Sequence, residues 1–298
     1  MTTQLRERIA RDIAREVHPS VRAFGELLAQ ERGAIAALFY GSNLRTGELE
    51  GVLDFYLLTP GKPERGLWPR VSYHEWSHDG SQLRAKVATM SLARFAQAAA
   101  GELLDTTIWA RFVQPSALVW RSDESAADAI VEAIGSACVC AAQLAVALGP
   151  KTGPEEQYWS ALFRETYKAE FRVEKPGREK SIIDLNSGHF RRLLSDALPA
   201  AAIPFAFEDH SDAITPLMPQ AEQARVLRWW RVRRRVGKPL NLLRLVRAAS
   251  TFEGAARYAA WKIERHTGVA VALTPWRERH PVLAAPGVLW SVWRAQRR

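Results

Sequence analysis

Apolar positions in this chain switch between two spacings. Leu5, Ile9, Ile13 and Val17 recur at helical intervals, and Phe24, Leu27 and Leu28 share one face of a second helix over 21–30, between Pro19 and Gly33. The spacing then shortens. Residues 34–58 hold two apolar runs, aromatic in part and bounded by Gly, with a turn-prone link between them, which predicts two strands. Residues 86–90 predict another strand, Ser91 opens a helix to about Leu104, and Asp105 or Thr106 caps the next one before Pro115. A long helix is expected over 125–148, capped by Ser122 or Asp123, and Gly149-Pro-Lys-Thr-Gly-Pro then breaks the chain. Beyond it, 186–198 and 219–236 read as helices. Gly237-Lys-Pro reads as a break, 240–264 is helical in two pieces around 250–254, and the tail after Gly268 shows no long helix. The pattern predicts an α+β chain: a sheet covered by helices in 1–149, then a mainly helical domain in 150–298.

Composition narrows the classes. At 298 residues the chain can bury an ample core as one large domain or two. No uninterrupted apolar run reaches the 18 or so residues of a spanning helix; the nearest, 133–149, is Ala-rich and reads as a buried helix. The first residues are charged and lack a signal-peptide apolar region. Cys138 and Cys140 stand two apart on a helix and face different ways, which disfavours a disulfide or a metal pair and suits a reducing cytoplasm. Charge is uneven: residues 221–298 carry 17 Lys/Arg against 4 Asp/Glu, a net of +13, so the rest nets −4. With Trp229, Trp230, Trp261, Trp276, Trp290 and Trp293 in it, that region suits an anionic membrane surface or nucleic acid. A solvated basic face with core tryptophans is the plainer alternative.

Candidate chemistry concentrates where the first strand ends. Gly41 lets the main chain approach a phosphate, Ser42 offers a hydroxyl and the next N–H groups, and Asp54 on the neighbouring strand faces them. A carboxylate there can hold a divalent ion against the same phosphates. Gly-Ser after a strand also makes ordinary turns, and a lone strand Asp also serves as an edge or capping residue. Arg111 and Gln114 stand among apolar residues before Pro115. The run from Phe163 alternates Tyr167, Lys168, Glu170, Arg172 and Lys180; Glu170 and Arg172, two apart, would share a strand face, although such a run also makes a solvated surface.

The Gly41-Ser42…Asp54 layout resembles the nucleotidyltransferase fold, whose second acid is replaced here by Tyr56. Several stretches follow in the order of one family. Tyr40-Gly41-Ser42 with Leu53-Asp54-Phe55, Ala110-Arg111-Phe112-Val113-Gln114-Pro115, Thr166-Tyr167-Lys168-Ala169-Glu170-Phe171-Arg172 with Lys180 to Asp184, and Ser250, Tyr258 and Lys262 are similar to motifs of the phosphatidate cytidylyltransferases of the mitochondrial translocator-assembly-and-maintenance type, which have bacterial relatives. Asn43 stands where that family often has Gly, Gln114 replaces Lys, and Glu170 replaces Asp.

The resemblance implies a nucleotidyltransferase-like mixed sheet and transfer of a cytidylyl group from CTP to phosphatidate, giving CDP-diacylglycerol for phospholipid biosynthesis. It implies Asp54 and Arg172 as catalytic residues. Gly41, Ser42, Arg111, Lys168 and Lys180 would hold phosphates, and Asp54 with Glu170 would hold Mg²⁺. The partners implied are CTP and phosphatidic acid in an anionic membrane, reached through a basic tail by a cytoplasmic protein peripheral on the inner face; no stable nucleic-acid partner is implied. Two rivals stay open: a nucleotidyltransferase for another phosphorylated acceptor, and a non-catalytic basic binder of membrane or nucleic acid.

Overall fold

The computed structural model describes residues 1–66, 69–169, 178–208 and 211–296, without the side chains at 178–181, 245–246, 248–251, 281–282 and 295–296. Two helices, α1 (Thr3–Ile13) and α2 (Pro19–Glu31), precede strand β1 (Ala36–Tyr40), the short helix α3 (Ser42–Thr46) and β2 (Leu53–Thr59). A hairpin of β3 (Arg70–His78) and β4 (Ser81–Ser91) follows, then α4 (Leu92–Ala99), α5 (Thr107–Phe112), β5 (Ser116–Arg121) and α6 (Glu124–Leu148). The strands form one sheet in the order β3-β4-β2-β1-β5, mixed because β2 runs parallel to β4 while the other pairs are antiparallel.

Strand alternation gives this sheet two apolar faces. Ala37, Phe39, Phe55, Leu57, Ala85, Val87 and Val119 point to one side, under Phe24 and Leu28 of α2. A Cβ on Gly25 would stand 2.6 Å from the Val119 side chain, so the missing side chain is what lets α2 lie this close. Ala36, Leu38, Tyr56, Leu58, Ala88 and Met90 point to the other side, into the larger core with α1, α4, α5 and α6. Side-chain caps fix where the helices start: Thr2 accepts from the Leu5 N–H, Ser91 from Arg94, and Asp123 from Ala126. The 25-residue α6 is long and apolar enough to cross a membrane by length and composition, yet here its apolar residues are covered by neighbouring helices.

The same core continues past Gly149. A small sheet of β6 (Gly153–Pro154), β7 (Phe205–Phe207) and β8 (Ala213–Pro216) accompanies α7 (Glu155–Ala169), α8 (Arg178–Leu185), α9 (Ser187–Phe190) and α10 (Leu193–Ala197). Tyr158, Trp159, Leu162 and Phe163 of α7 and Trp230 join the cluster that begins at Leu5. Polar contacts also tie the first helix to this half: Arg8 forms an ion pair with Asp196 at 2.7 Å, and His189 Nδ1 lies 3.2 Å from Asp12.

The last third departs from the sequence pattern in two places. Gly237-Lys-Pro does not break the chain, because α11 runs unbroken over Gln220–Thr251 with Pro239 inside it. Packing overrides propensity here. Buried Arg233 donates to the carbonyls of Gly101 and Leu103 while its guanidinium lies 4.0 Å from the Trp229 ring centroid, and Gly237 abuts the Ala169 carbonyl. The tail is helical as well. After α12 (Ala255–Thr267) and α13 (Pro275–Arg279), α14 covers Pro281–Gln296 and buries Ala284, Val288 and Val292 at helical spacing. Small residues, a glycine and two prolines hid that periodicity. The break between α11 and α12 falls at Phe252–Gly254, within the expected stretch, and docks on the outer edge of the sheet, where Tyr73 N–H donates to the Glu253 carbonyl at 2.8 Å. This cover leaves the β3 edge partly shielded.

Candidate active site

At the end of β1 the chain turns through Gly41 at φ 94°, ψ −160°, a conformation strained for any residue with a side chain. Tyr40 pairs with Asp54 in the antiparallel register, and a Cβ on Gly41 would sit 3.0 Å from Asp54 Oδ2. The carboxylate therefore lies directly against the bare backbone. Buried Asn43 holds the link between α3 and β2, donating to the carbonyls of Glu48 at 2.9 Å and Glu50 at 2.7 Å. An amide at that position thus has a structural task.

Asp54 lies on the face of β2 that also carries Tyr56, paired with Lys86 across the parallel register. Removal from water pushes its carboxyl above its ordinary value, outweighing the opposing fields of Lys86, Arg111 and Arg45. One acid thus lies within the fields of three cations. Arg111 comes from the last turn of α5, and its guanidinium lies 5.0 Å from the Tyr40 ring centroid and 5.8 Å from that of Tyr56. Its Nη1 also donates to the Tyr56 hydroxyl at 3.1 Å. Tyr56, standing where the resemblance implies a second acid, therefore positions a cation. Burial first, then Asp105, pushes the Tyr56 hydroxyl up, while Arg111 and Arg244 pull it down. Asp105 is buried in the loop before α5, and its Oδ1 accepts from Arg244 at 2.5 Å and from the Thr107 hydroxyl at 2.8 Å. The sheet face thus leads from Asp54 through Arg111 and Tyr56 to a second acid–arginine pair.

The residues singled out from sequence divide into three groups. Gly41, Ser42, Asp54 and Arg111 are brought together. Lys168 lies on α7, exposed and paired with Glu165 at 2.6 Å, the carboxylate that also meets Arg234 of α11 at 3.2 Å. Tyr167 packs against the larger core, and the Gln114 side chain donates to the Ala110 carbonyl at 2.9 Å. Glu170 and Arg172 fall outside the described residues, as does the side chain of Lys180, whose backbone lies in α8. Cys138 and Cys140 are buried thiols, each pushed up to about 12 by desolvation.

Sequence reasoning did not reach Arg45, Lys86, Asp105 or Arg244. A signal existed for Lys86: Arg84 and Lys86 alternate with Leu83, Ala85 and Val87, the period-two pattern of a strand with one polar face. None existed for Arg244, which approaches Asp105 from far along the chain. Among the described residues, no group of three or more His, Cys, Asp and Glu is gathered as a ready metal site.

A scan against protein-family models gives no match, and no curated protein matches this chain.

Proposed function

We propose that the chain is a nucleotidyltransferase with a nucleotidyltransferase-like sheet, acting as a CTP:phosphatidate cytidylyltransferase. The single observation that carries this is Asp54 packed against the side-chain-free Gly41 and beside Lys86 in the register, within the fields of Arg111 and Arg45. A triphosphate needs cations on its oxygens, and transfer between two polyanions needs their repulsion offset more than it needs a strong base. A phosphate monoester oxygen would attack the α-phosphorus of CTP, forming a new P–O bond as the bond to the bridging oxygen breaks and pyrophosphate leaves.

Magnesium fits Asp54, because this ion commonly takes only one or two protein carboxylates and completes its shell with water and substrate phosphates. Gly41 lets the carboxylate lie against the backbone, since a Cβ there would stand 3.0 Å from Asp54 Oδ2. When bound, the ion would neutralise phosphate charge. The chain's own side chains do the rest: Arg111, clamped by two tyrosines, presents a fixed guanidinium, and Lys86 supplies a point charge beside Asp54. Glu170, Arg172, Lys168 and Lys180 remain proposed ligands from the resemblance alone. The basic, tryptophan-bearing segment 221–298 would dock the protein peripherally on the inner face of an anionic membrane.

Asp54→Asn tests the assignment. It should lower formation of CDP-diacylglycerol from CTP and phosphatidate by at least about 100-fold, the scale of losing a metal-held charge contact, with an unchanged circular-dichroism spectrum. Wild-type turnover in that variant would sink it. Turnover of another phosphorylated acceptor in preference to phosphatidate would keep the chemistry and change the substrate.

A further inference from the structure

A pocket lined by two arginines and one carboxylate, Glu50, lies beside the same sheet and has no part in the site above. It is a cavity of about 420 Å³ between the β3–β4 turn, the link before β2 and helix α12, with Glu50, Gly51, Arg84, Trp261 and Arg265 in its lining. The guanidiniums of Arg84 and Arg265 lie 5.6 and 5.3 Å from the Trp261 ring centroid. Gly51, at φ 97°, lets Arg265 Nη1 come within 3.1 Å of the point its Cβ would occupy. Arg84 Nε stands 3.6 Å from Glu75, whereas no ion pair to Arg265 is present among the described residues. An exposed arginine held over an indole without a carboxylate partner is a donor fork awaiting an anion.

The register relates this pocket to Asp54. Glu75 of β3 pairs with Arg84 and Tyr73 with Lys86, while Lys86 pairs with Asp54. Arg84 and Lys86 are therefore on one face, one pleat repeat or about 7 Å apart along β4. Above the same edge, Tyr258 of α12 lies 5.5 Å from Tyr73 by ring centroids, which fixes the helix that brings Trp261 and Arg265. Lys86 thus stands between the pocket and the Asp54 site.

We infer that the Arg84–Trp261–Arg265 pocket binds a phosphate monoester, the acceptor's headgroup, with the indole walling off the carbon atoms attached to it. Its place as an acceptor site rests on the nucleotidyltransferase reading; binding itself rests only on the pocket. Two guanidiniums favour a dianion over a neutral or zwitterionic diester.

Calorimetry on the full chain tests this, with glycerol 3-phosphate, a short-chain phosphatidate below its micellar concentration and a short-chain phosphatidylcholine as separate probes. Both monoesters should bind and the phosphatidylcholine should not. Equal affinity for the two monoesters places recognition in the phosphate; tighter phosphatidate binding adds the lipid chains to it. Arg265→Gln, at an exposed position, should weaken monoester binding about 10-fold or more, and Arg265→Lys should fall between. Should Arg84→Gln unfold through loss of its Glu75 contact, the Arg265 pair still decides. Undiminished binding in Arg265→Gln, or no monoester binding by the wild-type chain, overturns the inference. A wild-type protein that binds monoester but not CTP with Mg²⁺ keeps the pocket and overturns the transferase reading; the opposite pattern does the reverse.

Discussion

Gly41 carries two constraints that a single methyl group would violate. Its φ of 94° is closed to ordinary side chains, and the missing Cβ would press on Asp54 Oδ2 at 3.0 Å. Gly41→Ala should therefore cost roughly 1–3 kcal/mol of stability, the usual range for a residue forced into such backbone. Activity should fall further than stability does, because the carboxylate must move as well. Thermal melts beside CTP turnover separate the two effects; an alanine variant with wild-type melting and turnover would show that this contact does not shape the site. Gly41, Asp54 and Arg111 were legible in the sequence because a strand–turn–strand motif is local and because an arginine among apolar residues stands out. Arg45 and Lys86 were less so, since each looks like an ordinary surface cation until the register sets it beside Asp54. Asp105 was legible only as a candidate helix cap and Arg244 carried no local sign, their pairing being a product of tertiary folding. Tyr56 was read as a missing acid; its hydroxyl, bonded to Arg111, gives it a positioning role that no motif comparison supplies.

Among the elements, α11 sets local propensity most directly against packing. Glycine inside a helix costs about 1 kcal/mol relative to alanine, so Gly237→Ala would stabilise an isolated helix. In this protein the new Cβ would lie 2.5 Å from the Ala169 carbonyl oxygen, a backbone atom that cannot swing aside. Overpacking of that kind costs about 1–3 kcal/mol and should win. The expected result is a variant less stable by a net of about 1 kcal/mol, seen as a lower midpoint in urea with an unchanged slope; a higher midpoint would mean that α7 and α11 are not in close contact there. The two strands in 34–58, the one at 86–90 and the early helices were readable because their apolar residues hold one period and helix ends carry caps such as Asp123 and Ser91, whereas β3 and β5 went unpredicted. The α11 break was misread because glycine and proline act as stops only where nothing outside the helix compensates, and Arg233 with Trp229 anchors the preceding turn to the α4–α5 connection. For α14, burial of Ala284, Val288 and Val292 gives a helical stripe too small and too interrupted to register as amphipathic.

At the scale of the whole molecule, charge and exposed apolar surface coincide at the C-terminal end. Opposite the buried stripe, α14 leaves Leu283, Leu289, Trp290 and Trp293 about half exposed or more, and α13 adds Trp276. Arg294 lies 5.3 Å from the Trp290 ring centroid, the pairing of aromatic body and cationic tip that suits a lipid headgroup layer. The surrounding 221–298 segment carries the net charge of +13 that the rest of the chain lacks. Each basic residue close to an anionic surface adds about 1 kcal/mol, an attraction that falls off within a Debye length of roughly 10 Å at 0.1 M salt. Insertion of the tryptophans would then add a part that salt does not screen. These two contributions predict different responses. The wild-type chain should float more strongly with vesicles containing phosphatidic acid than with phosphatidylcholine alone. Raising the salt to 1 M, where screening shortens to about 3 Å, should weaken the flotation without abolishing it. Trp290→Ala combined with Trp293→Ala should remove the part that survives high salt while leaving the low-salt attraction measurable. Equal flotation on neutral and anionic vesicles, or a double variant indistinguishable from wild type at high salt, would count decisively against α14 as the docking face and would leave the basic segment of the chain to be explained by another polyanion.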